Sequence, residues 1–279
     1  MGIRIIVDSS ADLNANIRER LTVVPVSIAF GNQVYTDGVT IDHRMFYEKL
    51  IESDELPKTS QPTPAAFEEA FEAAANAGEE AIVITVSSKL SGTYQSANIA
   101  AEGYGNIHIV DGKSVAIGTG ILAEYALRLA DAGWTAEAIV REIEERRDHI
   151  RVIAMLDTLE YLKKGGRISK TVAFAGGLLS IKPVACLRDG GVEILGKARG
   201  SKQGNNLLMK EIEAAGGVDF GMPLLLGYTG LSDALLKKYI ADSVDLWRGN
   251  IEQLPIAVIG SGVGTHVGPG AIAVAFFKK

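Results

Sequence analysis

Cysteine is nearly missing from this chain. Cys186 is the only one, so no intramolecular disulfide can form, and no CxxC or Cys/His spacing suggests zinc. Positive charge is short as well: 28 Lys and Arg stand against 34 Asp and Glu, a net charge of −6. General affinity for nucleic acid or an anionic membrane needs fields of Lys and Arg, and this balance argues against both. Long hydrophobic runs are missing too. Stretches such as Ala81 to Val86 fall far below the about 18 residues of a membrane span. Met1-Gly2 invites a myristoylation reading, but Ile6 stands where Ser or Thr is needed. A strand signal at Ile3 to Val7 begins almost at the start Met, which leaves no room for a signal-peptide core. The expectation is a cytoplasmic protein with no metal, no cofactor and no stable membrane insertion.

What is present is enough apolar residue for a sizeable core: 47% of 279 positions, with 22% charged. That length allows one large domain or two ordinary ones. The first half alternates strand and helix signals. Strands are predicted at Ile3 to Val7, Ala81 to Val86 and Ile107 to Val110, with an edge or bulged strand at Thr22 to Phe30 around Pro25. Thr63-Pro64 reads as N-cap and N1 of a helix with Phe67 and Phe71 on one face. Another helix is predicted from Ser91 to Ala101, and a third opens at Thr135 and runs to about His149. Such alternation indicates a mainly parallel sheet covered by helices.

After Arg151 the pattern changes. Arg188-Asp189-Gly190-Gly191 between two apolar runs is a hairpin signal. Further strands are expected at Pro223 to Gly227, Pro255 to Ile259 and Ala271 to Phe277, with helices near Asn205 to Ala215 and Ser232 to Ile240. A domain boundary near residue 150 follows, giving 1–150 and 151–279.

Four polar, small-residue segments sit where binding loops are expected, after strands or before helices. They are Asp8 to Leu13, Thr59-Ser60-Gln61-Pro62, Ser87 to Ser96, and the glycine-rich Gly260 to Gly270 around His266. The third supplies five Ser and Thr hydroxyls in ten residues, together with free N–H groups at a helix start. An ordinary Ser-rich cap is the bland alternative. A lone His in a loop of small residues is as suited to a functional role as to a structural one.

Taken together, these segments resemble the DegV family. The resemblance rests on Asp8-Ser9-Ser10-Ala11-Asp12-Leu13, Tyr35-Thr36-Asp37-Gly38, Thr59-Ser60-Gln61-Pro62, Ser87 to Ala97, and Leu159 to Ile168. It continues through Ile181-Lys182-Pro183, Lys197-Ala198-Arg199-Gly200 and Gly264 to Gly270, in order along nearly the whole chain. It implies an α/β fold of two domains: an N-terminal Rossmann-like one with a mainly parallel sheet, and a C-terminal one with a mostly antiparallel sheet. It also implies a long-chain fatty acid held between them and presented to a separate fatty acid kinase subunit. By motif position Thr59, Ser91 and His266 surround the carboxyl group, supported by Ser60, Ser88, Gly92, Thr93 and Thr265. Arg167 and Arg199 would lie at the mouth or dock the partner. Apart from the resemblance, a pure interaction module is an alternative reading, with Arg167, Lys170, Arg199 and Lys202 as a basic docking surface, although surface charges usually serve solubility alone. Two departures stand out: Gly227-Tyr228-Thr229 where many members carry a His, and Val267 where Thr is common.

Phe67, Phe71, Leu178, Leu179, Ile181 and Ile194 are candidates for an apolar tunnel, and sequence does not separate a tunnel wall from core. Two other chemistries compete. Ser91 and His266 invite a serine hydrolase, but Lys89 breaks the G-x-S-x-G elbow and no acidic partner for His266 is evident. Gly118-Thr119-Gly120 nominally fits a dinucleotide fingerprint, yet lies too far beyond its strand. Gly112-Lys113-Ser114 looks like a P-loop ending without its first Gly, so nucleotide titration should be silent.

Overall fold

The computed structural model describes residues 2–168, 181–247 and 254–279. Strands of the first half are β1 (Ile3–Asp8), β2 (Thr22–Val24), β3 (Ser27–Phe30), β4 (Gln33–Thr36), β5 (Lys58–Ser60), β6 (Glu80–Thr85) and β7 (Ile107–Asp111). Those that follow are β8 (Ile150–Met155), β9 (Ile181–Arg188), β10 (Gly191–Arg199), β11 (Leu224–Tyr228), β12 (Ile256–Val258) and β13 (Ile272–Phe277). The helices are α1 (Ala15–Arg18), α2 (His43–Glu52), α3 (Pro64–Asn76), α4 (Thr93–Ala100), α5 (Ile117–Asp131), α6 (Ala136–Arg146), α7 (Glu160–Lys164), α8 (Gly200–Ala214), α9 (Ala234–Asp242) and α10 (Ser261–Val267).

A parallel sheet of order β2-β1-β6-β7 carries the Rossmann-like half. Its strands are apolar on both faces because helices cover both. Ile6 and Val83 pack with Phe67 and Phe71 of α3, whereas Ile5, Val7, Ile82 and Ile84 face α5. Thr63 caps α3 by accepting from Ala66 N, as its sequence requires. The six-stranded sheet, β10-β9-β8-β13-β11-β12, is antiparallel except for β11 with β12. Its β9–β10 hairpin turns through Asp189 and Gly190, both at positive φ (49° and 78°), the geometry an Asp-Gly turn favours. Between the two sheets lies α5, buried from Ile117 through Ala123. It contacts β1 and β6 on one side and β8, β11 and β13 on the other, so one apolar core runs across both halves.

Several elements differ from expectation. The run around Pro25 is two strands in different sheets, β2 at an edge and β3 in the middle of a third sheet, β4-β3-β5. Proline has no N–H for a ladder bond, so the chain changes sheets there. Helix α4 starts at Thr93 rather than Ser91, because the Ser91 hydroxyl accepts from Thr93 N at 3.3 Å. Strand β8 was not expected, and neither were helices α2, α5 and α10. Gly118 and Gly120, nominally a dinucleotide fingerprint, serve packing: a Cβ would fall 2.3 Å from Val152 Cγ2 and 2.1 Å from the Asp12 carbonyl oxygen respectively.

Candidate functional site

Short segments far apart in sequence converge on one cavity of about 400 Å³. Thr59 lies on β5, whose antiparallel pairing with β3 sets it opposite Ile28. Two residues on, the Gln61 amide crosses to the Ser91 loop, where Nε2 donates to Gly92 O (3.2 Å) and Ser96 Oγ (2.8 Å). A Cβ at position 92 would fall 2.3 Å from Gln61 Oε1, so a side chain there would displace the Gln61 amide. The T-S-Q-P and S-G-T-Y segments are therefore two halves of one joint. Ser91 Oγ hydrogen-bonds Thr93 Oγ1 at 2.8 Å, with the fully buried Thr93 behind it.

His266 reaches the same place on α10. Its Nε2 lies 2.8 Å from Thr59 Oγ1, although 207 residues separate the two in the chain. Gly165, just past α7, packs against the ring; a Cβ there would sit 2.4 Å from His266 Nδ1. That Nδ1 is buried with no hydrogen-bond partner among the described residues. Burial, and secondarily the nearby Arg167, lowers the His266 pKa to about 4. The end of a helix favours a cationic imidazole, but desolvation outweighs that here, and the ring is neutral at pH 7. Arg167 also lines the cavity. Its Nη1 donates to Gly165 O (2.6 Å) and its Nε to Leu90 O (3.2 Å). Burial lowers its pKa.

The rest of the lining is largely aliphatic, with Val26, Val86, Leu90, Val115, Leu162 and Val192. Helix α10 adds Val263 and Val267. What holds these pieces in place is a set of buried carboxylates. Asp8 accepts from Val86 N (2.7 Å) and Ser10 N (2.9 Å), setting the start of the Ser87 loop. Asp37 accepts from Ser9 Oγ and Ser261 Oγ, both at 2.8 Å, and Asp12 accepts from Gly260 N at 2.7 Å. Burial raises the pKa of all three. The D-S-S-A-D-L and Y-T-D-G segments thus clamp α10 to the first loop, and only Ser10 among them lines the cavity.

A family model described as an uncharacterised DegV family protein matches residues 2–279. The chain belongs to the DegV family. A DegV domain-containing protein of Caldanaerobacter subterraneus is 33% identical over 99% of both chains. The solved structure of a DegV family protein from Thermus thermophilus, described by its fatty acid binding, is 31% identical with a TM-score of 0.88. The match covers 99% of this chain and 100% of that one. DegV from Bacillus subtilis, described as a fatty acid binding protein, is 27% identical with a TM-score of 0.84 over the whole of both chains.

Within this DegV chain, Thr59, Ser60, Ser91, Gly92, Arg167 and His266 all line the cavity. The remaining expected residues are placed differently. Ser88 turns away, its hydroxyl donating to Asp111 Oδ2 at 2.5 Å. Thr265 donates to Ser261 O inside α10. Arg199 stands at the start of α8, its N–H donating to Gln203 Oε1, and neither it nor Lys202 lines the cavity. Phe67 and Phe71 belong to the α3 core, with rings 5.9 Å apart. Ile194 packs with Leu156 and Leu162, and neither it nor Ile181 lines the cavity. Lys170, Leu178 and Leu179 lie outside the described residues. Gln61 and Ser10 are site residues not singled out from sequence; only their place inside quoted motifs could have marked them. A hydrolase triad is not assembled: the Nε2 of His266 pairs with Thr59 rather than Ser91, and its Nδ1 has no carboxylate. No described helix is long and apolar enough to cross a membrane.

Proposed function

We propose that this protein binds one long-chain fatty acid and presents it to a separate kinase subunit. The acyl chain lies along the aliphatic wall, and Thr59, Ser91 and His266 hold the carboxyl group. The observation that carries the reading is one cavity whose lining combines hydroxyls, an imidazole and a guanidinium with valine and leucine side chains. The two relatives described as fatty acid binding, from Thermus thermophilus and Bacillus subtilis, support it.

Both ends of the ligand are accommodated. Burying about 16 methylenes at ~0.8 kcal/mol each offers on the order of 12 kcal/mol of gross stabilisation, from which immobilisation removes several kcal/mol. A buried carboxylate without partners would cancel much of the remainder. With its proton on Nε2, neutral His266 donates to Thr59 Oγ1, and the Thr59 O–H is then free to donate into the cavity. Ser91 supplies a second hydroxyl. Arg167 brings positive charge to the mouth, held by backbone carbonyls rather than by a carboxylate. Held by hydroxyls rather than clamped in a bidentate Arg pair, the carboxyl group stays open to a phosphorylating partner.

Mass spectrometry of an organic extract of the purified protein tests the reading. A near-stoichiometric co-purified fatty acid is expected. Absence of lipid, together with no binding of added hexadecanoic acid, would reject it.

A further inference from the structure

A second cavity, of about 560 Å³, lies behind the β9–β10 hairpin. It is back to back with the first. Ser114 lines this one and Val115 the other, and Gly190 lines this one while Val192 lines the other. The partition is closed by Ser87 Oγ donating to Gly190 O at 2.7 Å.

The walls carry five cationic side chains, Lys113, Arg147, Arg151, Arg188 and Lys278, in a chain whose net charge is −6. All but Arg188 are half-buried. Three carboxylates also line the cavity, Asp148, Asp189 and Glu211, and the two aspartates are exposed at its rim. Four cations and one carboxylate, Glu211, are thus half-buried, while Arg188 and the two aspartates are exposed. Neutralisation inside is incomplete. Lys113 pairs with Asp148 at 3.1 Å and Arg188 with Glu193 at 3.0 Å. Arg151 gives its Nη1 hydrogens to the backbone carbonyls of Asp148 and Ile150. Arg147 Nη1 donates to Asp111 O at 2.6 Å and lies 3.4 Å from Glu144 Oε1, while its Nε and the Ser114 hydroxyl are buried without partners among the described residues. Half-buried cations and unpaired donors are costly unless an anion satisfies them.

We propose that this cavity is a second binding site, independent of the lipid cavity, that takes a small polyol phosphate. The phosphate dianion would lie among Arg147, Arg151 and Lys278, a set of forked and point donors suited to its oxygens. The carboxylates nearer the rim would accept from ligand hydroxyl groups. None of the lining residues is aromatic, so nothing offers a nucleobase a stacking surface. The Lys113-Ser114 pair, which resembles a P-loop ending in sequence, belongs to this cavity without any phosphate-cradling loop.

The chain carries its own probe, since its only cysteine, Cys186, is half-buried in the same wall. Glycerol 3-phosphate, titrated at low salt by calorimetry, should bind with one-to-one stoichiometry and slow iodoacetamide alkylation of Cys186 severalfold. Inorganic phosphate should bind more weakly, and free glycerol should not bind. Arg151→Gln and Lys278→Gln should each weaken glycerol 3-phosphate about tenfold, the loss of one charge-assisted hydrogen bond. No saturable binding and no protection of Cys186 in the wild-type protein would overturn the proposal. So would unchanged affinity in both variants, or inorganic phosphate binding as tightly as the monoester.

Discussion

Replacing Thr59 with valine keeps the side-chain shape and deletes one oxygen. Among the described residues that oxygen is the only partner of His266 Nε2, at 2.8 Å, and Nδ1 already has none. The variant leaves both ring nitrogens of a largely buried imidazole unpaired. A stability loss of about 1–3 kcal/mol is expected from that orphaned group. With fatty acid bound, the same substitution also removes a donor to a charged acceptor, which contributes about 1.5–3 kcal/mol, or ten- to a hundredfold in Kd. Hexadecanol lacks that charge, so its neutral contact with Thr59 should cost only about 0.5–1.5 kcal/mol. The assay is displacement of a fluorescent fatty acid from delipidated protein, by hexadecanoic acid and by hexadecanol, for wild type and Thr59→Val. The acid should lose at least about fivefold more affinity than the alcohol. Equal losses for the two ligands would refute the carboxyl role of Thr59, whatever the melting temperature does.

Further outcomes can be checked. His266 is neutral in the fold with a pKa near 4, against about 6.5 in an unfolded chain. Its contribution is fully present above pH 6.5 and is lost as pH falls toward 4, on the order of 3 kcal/mol in all. Buried Asp8, Asp12 and Asp37, with raised pKa values, act in the opposite direction. The effect is therefore read as the difference between wild type and His266→Gln in denaturant melts at pH 7.5 and 4.5. Gly165→Ala places a methyl group 2.4 Å from His266 Nδ1 and 3.0 Å from Tyr161 O. It should destabilise by about 1–3 kcal/mol and weaken acid binding, while unchanged binding would show that the ring does not set the pocket. Ser91→Ala should weaken acid binding, whereas Ser88→Ala, which loses only a contact with Asp111, should leave titrations of the acid unaltered.

Much of the fold was legible because local signals agreed with tertiary demand. Thr63-Pro64 caps α3, Asp189-Gly190 turns the hairpin, and apolar runs became the buried strands. Helix α10 was not legible. Its glycines argue against a helix, yet Gly264 is what lets it approach α2, where a Cβ would fall 2.6 Å from Tyr47 Oη. Packing, not propensity, makes that helix. Thr59, Ser91 and His266, the residues proposed for the carboxyl group, could be named from motif order, and the structure brings them to one cavity. Which apolar residues line the cavity could not be named. Whether Phe71 or Val115 faces a void depends on which helix crosses which sheet, and the residue types are equally apolar either way. Arg167 and Arg199 look alike in sequence, but only Arg167 follows a turn that returns to α10.

The clamp between Gly260 N and Asp12 spans 248 positions, and the Thr59–His266 contact spans 207. A ribosome that has made only the chain before α10 has not yet made the Thr59–His266 contact, because the helix bearing the imidazole is still unsynthesised. Loops closed over such separations form late and slowly. The nascent protein would therefore pass most of its synthesis with this cavity unfinished, and would close it only when α10 docks.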